Sequence, residues 1–294
     1  ENPPGNESLA ADVARDYMDA AGVPNQTYEA QPGRANIIGR IGRGKPSLLI
    51  AAHLDVVPAG DGWDSDPFVL RRQGGLVTGR GVNDDKGPLA CLLLAGRFLR
   101  ERARLKGTLL LAGVADEERG SECGLEWLLD NGLLDADAAI IPDHAAYMRE
   151  IDVAEKGALF LEVTAHGRQA HGSAPHLGVN AIWRMIEFLG RVRDLKLPGD
   201  PHPLFTGPTL NLGMIQGGVA PNMVPARCSA QLDIRFLPGH TARHVQRMME
   251  QIGRDVERDY PDTRFDFKVT AAIEPHESPD HEVIGRLQQA IRDV

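Results

Sequence analysis

The sequence has no long hydrophobic run, no paired cysteines and no basic block. A membrane-spanning helix needs about 18 or more consecutive apolar residues, and no stretch approaches that length. The cysteines Cys91, Cys123 and Cys228 lie far apart. This spacing excludes a disulfide scaffold and a cysteine zinc knuckle, and it favours a reducing, cytoplasmic location. The formal net charge is −9, so we expect neither a nucleic-acid partner nor a membrane partner.

Two common catalytic motifs are also missing. The sequence contains no G-x-S-x-G elbow, which excludes the usual serine hydrolase of the α/β type. Residues 39–45 have the glycine and lysine spacing of a phosphate-binding loop. However, Pro46 stands where Ser or Thr would bind magnesium, and the sequence that follows is typical of a strand and not of a helix. We therefore exclude a nucleotide-binding loop.

The first half of the chain alternates between buried strands and helices. With 294 residues, of which 42% are hydrophobic, the chain is long enough for about two domains. Strand-like apolar runs cover 48–54, 108–115 and 138–141, and helical patterns cover 9–21, 88–104 and 125–129. This alternation predicts an α/β domain with a mostly parallel sheet and helices on both faces.

The middle of the chain follows a different order. Predicted strands cover 159–165, 210–216, 228–236 and 265–270, and predicted helices cover 180–192 and 241–256. The order βαββαβ is that of a ferredoxin-like unit. We therefore predict that residues 154–272 form a second domain, inserted between residues 1–153 and 273–294 of the first domain.

Histidine and acidic residues follow each buried strand of the first domain. In chain order they are His53 and Asp55, then Asp116, Glu117 and Glu118, then Asp143 and His144. A further acidic group, Asp84 and Asp85, lies in a glycine-flanked loop that opens a helix. Ligands bind beyond the carboxyl ends of parallel strands, so these groups are expected at one edge of the sheet.

This composition suits a divalent metal. One histidine with several carboxylates is a typical ligand set for Zn²⁺, Mn²⁺ or Co²⁺, and a cation would relieve the repulsion between the acids. The side chains of His53 and Asp55 point the same way on a strand, so one can bind metal while the contact between them orients the imidazole ring. Of Glu117 and Glu118, one can bind metal while the other acts as general base. Taken singly, an acidic pair at a strand end is usually solvated surface, and a lone histidine such as His53 is more often a core or surface residue than a ligand. The joint pattern at several strand ends favours the metal site.

The spaced motifs resemble those of a known family. The segments 53–58, 63–68, 79–88 and 116–121 are similar to those of the zinc aminoacylase and dipeptidase metallopeptidases. That family contains acetylornithine deacetylase, succinyl-diaminopimelate desuccinylase, carboxypeptidase G2 and carnosinase. The resemblance implies a catalytic domain with two divalent metal ions, Zn²⁺ first and Co²⁺ or Mn²⁺ as alternatives. It also implies that the inserted domain is a lid and dimerisation domain.

The resemblance assigns roles to residues of the first domain. The implied metal ligands are His53, Asp84, Glu118 and Asp143, with Asp84 bridging both ions. Asp55 would hold His53, and Glu117 would be the general base and then the proton donor to the leaving amine. Asp85 occupies a variable position of the motif and receives no role.

The resemblance also implies three substrate-binding residues in the lid, namely His171, Asn222 and Arg235. The histidine would reach a substrate carbonyl, in many members from the partner subunit of a homodimer, and the other two would hold a carboxylate. A planar guanidinium suits a carboxylate because it can donate two parallel hydrogen bonds. From the residues alone, a salt bridge between Arg235 and Asp233 is an equal alternative, and a cluster of His171 with His166 and His176 is a weaker one.

Together these features predict a hydrolase that cleaves the amide bond of a small N-acyl amino acid or dipeptide. Family members supply a further histidine ligand late in the chain, and His276 and His281 lie too near the lid to match it. The chain starts without Met and stops within a helical pattern, so we expect a piece of a longer polypeptide. The alternative is a catalytically silent relative, a metal-poor dimeric amino-acid-binding protein.

Overall fold

The structure is a computed structural model that describes residues 1–102, 104–143, 150–279 and 281–293. The chain divides into two compact units. The first comprises Glu1–Glu150 and Gly285–Val294, and the second comprises Ile151–Ile284. The assignment of 154–272 to a lid and of the flanking residues to a catalytic domain stays a prediction.

The described part of Glu1–Glu150, the larger segment of the first unit, contains three α-helices and seven strands. The helices are α1 (Ser8–Ala20), α2 (Lys86–Arg102) and α3 (Leu125–Asp130). The strands are β1 (Asn25–Glu29), β2 (Ala35–Gly42), β3 (Ser47–His53), β4 (Arg71–Gln73), β5 (Leu76–Thr78), β6 (Thr108–Val114) and β7 (Ala138–Ile140). β4 and β5 form a separate hairpin.

The central sheet has the order β1-β2-β6-β3-β7. β3 pairs in parallel with both β6 and β7, whereas β2 pairs antiparallel with both β1 and β6. The predicted α/β class is confirmed, and the sheet is mixed where a mostly parallel one was expected. The β1–β2 pair is antiparallel because only five residues join the two strands, too few for the crossover that a parallel pair requires.

Helices cover both faces of this sheet, as predicted. β6 is buried along its whole length, and its side chains alternate between the two faces. Leu109 and Leu111 pack in one cluster with Met18 of α1 and Leu92 of α2. On the opposite face, Leu110, Ala112 and Val114 pack with Leu128 of α3. This double burial places β6 in the middle of the sheet, between β2 and β3.

The second unit is built around a four-stranded sheet. The strands described in the whole unit are β8 (Ala154–Glu155), β9 (Gly157–His166), β10 (Ala170–His171), β11 (Thr209–Gly217), β12 (Met223–Val224), β13 (Arg227–Phe236), β14 (Arg264–Ile273) and β15 (His276–Glu277). Its helices are α4 (Ala181–Arg193) and α5 (Ala242–Asp259). A last helix, α6 (His281–Arg292), crosses into the residues assigned to the first unit.

The large sheet has the order β11-β13-β9-β14, with every neighbouring pair antiparallel. With α4 after β9 and α5 after β13, the chain has the predicted βαββαβ order. Phe188 of α4 and Met249 of α5 are fully buried in one core with Leu161 and Leu232 of the sheet. Two further small pairings, β10 with β12 and β8 with β15, flank it. Among the described residues, no helix combines the length and apolar character that crossing a membrane requires.

Helices α4 and α5 of the second unit begin at side-chain caps. The side-chain oxygen of Asn180 accepts hydrogen bonds from the backbone N–H groups of Ile182 and Trp183 at the start of α4. Thr241 accepts one from the N–H of His244 at the start of α5. Such caps satisfy N–H groups that have no partner within the helix. The caps therefore fix the residue at which each helix begins.

Candidate active site

Strand direction brings the predicted residues of the first unit to one edge of the sheet. Because β3 runs parallel to β6 and β7, the carboxyl ends of all three strands meet there. β3 ends at His53, and the chain after β6 turns at Asp116 in the left-handed conformation, with φ of 64°. Asp143 follows β7, and His144 lies outside the described residues.

His53 is almost completely buried, at 2% exposure. Its Nδ1 lies 2.9 Å from the backbone oxygen of Asp55 and 3.5 Å from the carboxylate of the same residue. A carbonyl oxygen can only accept a hydrogen bond, so the Nδ1–H group donates to it. The ring is thereby held with Nε2 directed away from Asp55.

Carboxylates surround His53 Nε2. Asp84 Oδ1 lies 2.7 Å away, Asp143 Oδ2 3.9 Å and Glu117 Oε2 4.0 Å. In the part of the chain that the structure describes, His53, Asp84 and Asp143 form a group whose potential ligand atoms all lie within 4.8 Å of one another. Burial disfavours a charged His53, but contacts with the side chains of Asp55 and Asp84 outweigh it and raise the pKa of the imidazole to about 10. A cation at this position is electrostatically favoured.

Asp55 connects the histidine to the turn after β6. Its carboxylate accepts hydrogen bonds from the backbone N–H groups of Glu117 and Glu118 at 3.1 and 3.2 Å, and from the side chain of Asn2 at 2.8 Å. Burial opposes ionisation, yet contacts with His53 and Asn2 and the backbone donors hold the pKa of Asp55 at about 2. The group therefore stays a charged acceptor at neutral pH.

Glu117 and Glu118 lie side by side but face different surroundings. Glu117 is half-exposed near His53, and burial together with repulsion from Asp143 raises its pKa above the usual value, although His53 opposes the rise. Burial and the charge of Asp84 likewise raise the pKa of Glu118. One carboxylate oxygen of Glu118 accepts a hydrogen bond from the N–H of Val57 at 3.2 Å. Glu118 is not part of the group of three that converges within 4.8 Å.

In the second unit, the structure brings His171 and Asn222 together. β10 and β12 pair with His171 opposite Met223, and the next N–H, that of Gly172, donates to the Asn222 carbonyl at 2.8 Å. His171 Nδ1 accepts from the backbone N–H of Ser173 at 3.2 Å. A neutral imidazole that accepts at Nδ1 carries its proton on Nε2.

Arg235 lies elsewhere on the same unit. The β10 and β12 segments extend from the end of the sheet at which β9 ends and β13 begins. Arg235 lies eight residues after the first residue of β13. At the rise of an extended strand, this places Arg235 about 26 Å from that end of the sheet. Its guanidinium binds Asp233 through two hydrogen bonds of 2.7 and 3.2 Å. The salt bridge weighed as an alternative is therefore present. Among the described residues, the alternative cluster of His171 with His166 and His176 does not bring its potential ligand atoms together, and His166 instead binds Asp266 at 2.7 Å.

The chain is similar to known proteins along most of its length. The profile of the M20 peptidase dimerisation domain matches residues 153–261. A succinyl-diaminopimelate desuccinylase from Gluconobacter oxydans is 31% identical over 267 residues, which span 88% of this chain and 68% of that protein. The chain belongs to the M20 peptidase family. It is therefore a hydrolase of the metallopeptidase and deacylase class that acts on C–N bonds, as the sequence motifs predict.

Solved structures of M20 peptidases share the fold. A metallo-carboxypeptidase of the family from Sulfolobus solfataricus superposes with a TM-score of 0.75 at 19% identity, covering 98% of this chain and 78% of that one. A dinuclear metal-binding peptidase of the family from Bacillus subtilis gives a TM-score of 0.68 at 14% identity, covering 97% and 73%. The profile of peptidase family M28 also matches residues 36–162.

Sequence reasoning missed several residues around the site of this M20 peptidase. Asp85 received no role, yet it is fully buried, its Oδ2 accepts from the backbone N–H of His53 at 3.0 Å, and burial raises its pKa to about 7. Its Oδ1 has no hydrogen-bond partner among the described residues. Lys86 Nζ donates to the carbonyl of Leu54. The sequence shows Asp84, Asp85 and Lys86 side by side at the start of α2. The conformation of the loop before α2 decides which of these side chains is buried.

Proposed function

We propose that this M20 peptidase hydrolyses the amide bond of a small N-acyl amino acid or dipeptide, with two divalent metal ions and Glu117 as general base. The observation that carries the proposal is the convergence of His53 Nε2 with the carboxylates of Asp84 and Asp143. The names of the desuccinylase relatives make N-succinyl amino acids the first substrates to test. A cytoplasmic location stays a prediction from the cysteine pattern.

The donor set fits the implied metal ions. A neutral His53 that donates from Nδ1 to a carbonyl presents the lone pair of Nε2 toward two carboxylates, an arrangement that requires a cation or a proton between them. In the proposal, His53, Asp84, Glu118 and Asp143 hold the ions and Asp55 orients the histidine. When bound, such ions polarise the scissile carbonyl and lower the pKa of water. Zn²⁺ is the first choice, with Co²⁺ or Mn²⁺ as alternatives.

Glu117 is suited to the proton transfers. Its carboxylate is half-exposed, lies 4.0 Å from His53 Nε2 and has a raised pKa. A carboxylate with a raised pKa can take a proton from water and then deliver it to the departing amine. Glu118 instead accepts a backbone hydrogen bond from Val57. This difference favours Glu117 as the base.

The lid supplies substrate contacts in this proposal. The Nε2–H group of His171 donates to the substrate carbonyl oxygen, since Ser173 occupies its Nδ1. Asn222 and Arg235 hold the carboxylate end of the substrate. Because His171 and Asn222 lie far along the same sheet from Arg235, one lid cannot bring all three to one small molecule. Two copies of the chain can, with His171 and Asn222 from one and Arg235 from the other.

The open edge of the lid sheet is the surface we propose for this homodimer. β11 is an edge strand with exposed apolar side chains, including Met214 and Ile215. On the neighbouring helix α4, Trp183 and Ile186 are also exposed. An exposed apolar edge strand is a template for pairing with another strand. A second copy offers the same edge, which a two-fold axis can pair with the first.

The decisive variant is Glu117→Gln, which keeps the size of the side chain and removes the base. We expect turnover of an N-acyl amino acid to fall by about 10²-fold or more, while metal content by mass spectrometry stays that of the wild type. The matched control is Glu126→Gln on the exposed surface of α3, which should leave turnover unchanged. Turnover retained in the Glu117 variant would contradict the assigned base. Two equivalents of metal per chain support the enzyme, and none would support the metal-poor binding protein.

A further inference from the structure

A buried polar network lies behind the candidate metal centre and outside its donor set. Its members are Asn2, Glu7, Arg34, Asp55 and Asp116. Asn2 is 3% exposed, although it lies in a turn before α1. Arg34 donates to both oxygens of Glu7, at 2.7 and 3.0 Å, and to Asp116 at 2.6 Å. None of these contacts follows from the motif residues.

Asn2 is the point at which two halves of the site meet. Its side-chain nitrogen donates to Asp55 Oδ2 at 2.8 Å and to Asp116 Oδ1 at 2.9 Å. An amide nitrogen carries two hydrogens, so both donors of this group are used on the two carboxylates. Asp55 follows β3 and Asp116 follows β6. One neutral side chain therefore joins the segments that carry His53 and Glu117.

Each of the two carboxylates positions a different part of the site. Asp55 lies against His53 and accepts from the N–H groups of Glu117 and Glu118. Asp116 adopts a left-handed backbone conformation and accepts from the N–H of Cys123 at 3.1 Å. That conformation is uncommon for a residue with a side chain and persists where its surroundings hold it. The turn bearing Glu117 is thus held by Asp55 on one side and by Asp116 on the other.

We infer that Asn2 is a positioning residue that holds Asp55 and Asp116 in register and thereby keeps His53 and Glu117 in their relative geometry. This inference rests on the proposed roles of those two residues. Removal of the amide would leave two buried carboxylates close together, each short of a donor, which is costly in a poorly solvated surrounding. One of them must then turn away. Groups that orient a metal-binding histidine from behind typically change metal affinity or activity by about 10–100-fold when they are lost.

The side chain of Asn2 can be changed without releasing the segment. Its backbone N–H donates to the carbonyl of Val56 at 2.8 Å, and this bond does not depend on the side chain. Asn2→Ala removes both side-chain donors. Asn2→Ser keeps a single hydroxyl donor, which can serve only one carboxylate at a time. The wild type, Asn2→Ser and Asn2→Ala therefore form a series with two, one and no side-chain donors.

The experiment titrates the metal-free full chain with Co²⁺ alone, followed by visible absorption, and then measures kcat and KM. We expect Co²⁺ affinity and kcat to fall by about tenfold or more in Asn2→Ala and by less in Asn2→Ser, with an altered Co²⁺ spectrum and KM within about twofold. Circular dichroism checks the fold of each variant. Asn25→Ala is the matched control, since Asn25 also makes two side-chain hydrogen bonds, to Asp19 and Val23, away from the site.

Folded Asn2 variants with the Co²⁺ affinity, spectrum and kcat of Asn25→Ala would overturn the inference. If Asn2→Ala does not fold, Asn2→Ser decides the question by the same comparison. Failure of the proposed function is recognised separately. In that case the wild-type chain binds no Co²⁺, or Glu117→Gln retains turnover, whatever the Asn2 variants do.

Discussion

In the second unit, Gly172 makes a close contact between two backbone segments. Its N–H donates to the Asn222 carbonyl, and it has no side chain that would separate the segments. A Cβ at this position would lie 2.9 Å from the carbonyl carbon of Asn222 and 3.0 Å from its oxygen. Any larger residue must push β10 away from β12. The close approach of the segments that carry His171 and Asn222 therefore depends on glycine at position 172.

Gly172→Ala should therefore lower kcat for an N-acyl amino acid by about tenfold or more, because a displacement near 1 Å at a positioning group can cost up to about 10²-fold. The matched control is Gly190→Ala in α4, where a Cβ would meet no atom within 4 Å. That control should keep full activity and gain about 0.5–1 kcal/mol in the free energy of unfolding. Steady-state kinetics measures kcat, and thermal melts measure the stability of each variant. Equal kcat in the two variants would contradict the role of the contact.

At the scale of elements, the edges of the two sheets distinguish the units. The antiparallel side of the central sheet consists of β2 and the edge strand β1, and the residues Asn25–Glu29 of β1 are polar and largely exposed. No hydrophobic pattern marks such a strand, so the sequence offers no signal for it. The lid sheet ends in β11 on one side and β14 on the other. Both are exposed edges, and the dimer proposal distinguishes between them.

Met214→Lys on β11 should weaken the homodimer by about tenfold or more, because a charge would be buried against its symmetry mate across a two-fold interface. The matched control is Val269→Lys on β14, at the opposite edge of the same sheet and also exposed. Analytical ultracentrifugation over a range of concentrations gives both dissociation constants. A dimer weakened only by the β14 change would place the interface at the other edge.

In the part of the chain that the structure describes, each unit has its own buried core, and the proposed metal ligands all belong to the first unit. The first unit is packed on both faces of its central sheet, and the second is packed between its large sheet and helices α4 and α5. A ligand that binds only the folded state stabilises it by about 2.7 kcal/mol when its concentration is one hundred times the dissociation constant. That stabilisation should be confined to the unit that holds the metal.

Removal of metal with a chelator should therefore speed amide hydrogen exchange in β3, β6 and the turn at Glu117–Arg119, while β9 and β13 keep their protection. Exchange followed by mass spectrometry measures both units in one sample. Re-addition of Zn²⁺ is the control, and it should restore the slow exchange of the first unit. Equal changes in both units would contradict a site confined to the first one.

Much of the fold could be predicted because hydrophobic periodicity marks buried elements strongly. Residues 108–115 predict a strand that the structure places at Thr108–Val114, and 180–192 predict the helix Ala181–Arg193. The roles proposed for His53, Asp84, Glu117, Glu118 and Asp143 follow from the resemblance of the spaced motifs to those of a known family. Arg235 shows the limit, since its residue type suits both a substrate carboxylate and Asp233 beside it.

The sequence by itself determined the family, the enzyme class, the α/β and ferredoxin-like units and the convergence of acids on His53. These depend on local patterns and on motif order, which a chain carries before it folds. Only the tertiary structure decided that Asp85 is buried, that Asn2 joins Asp55 to Asp116, and that Arg235 lies far from His171. Such contacts link residues distant in sequence, and their partners are chosen by strand order and by the packing of loops, which no local pattern encodes.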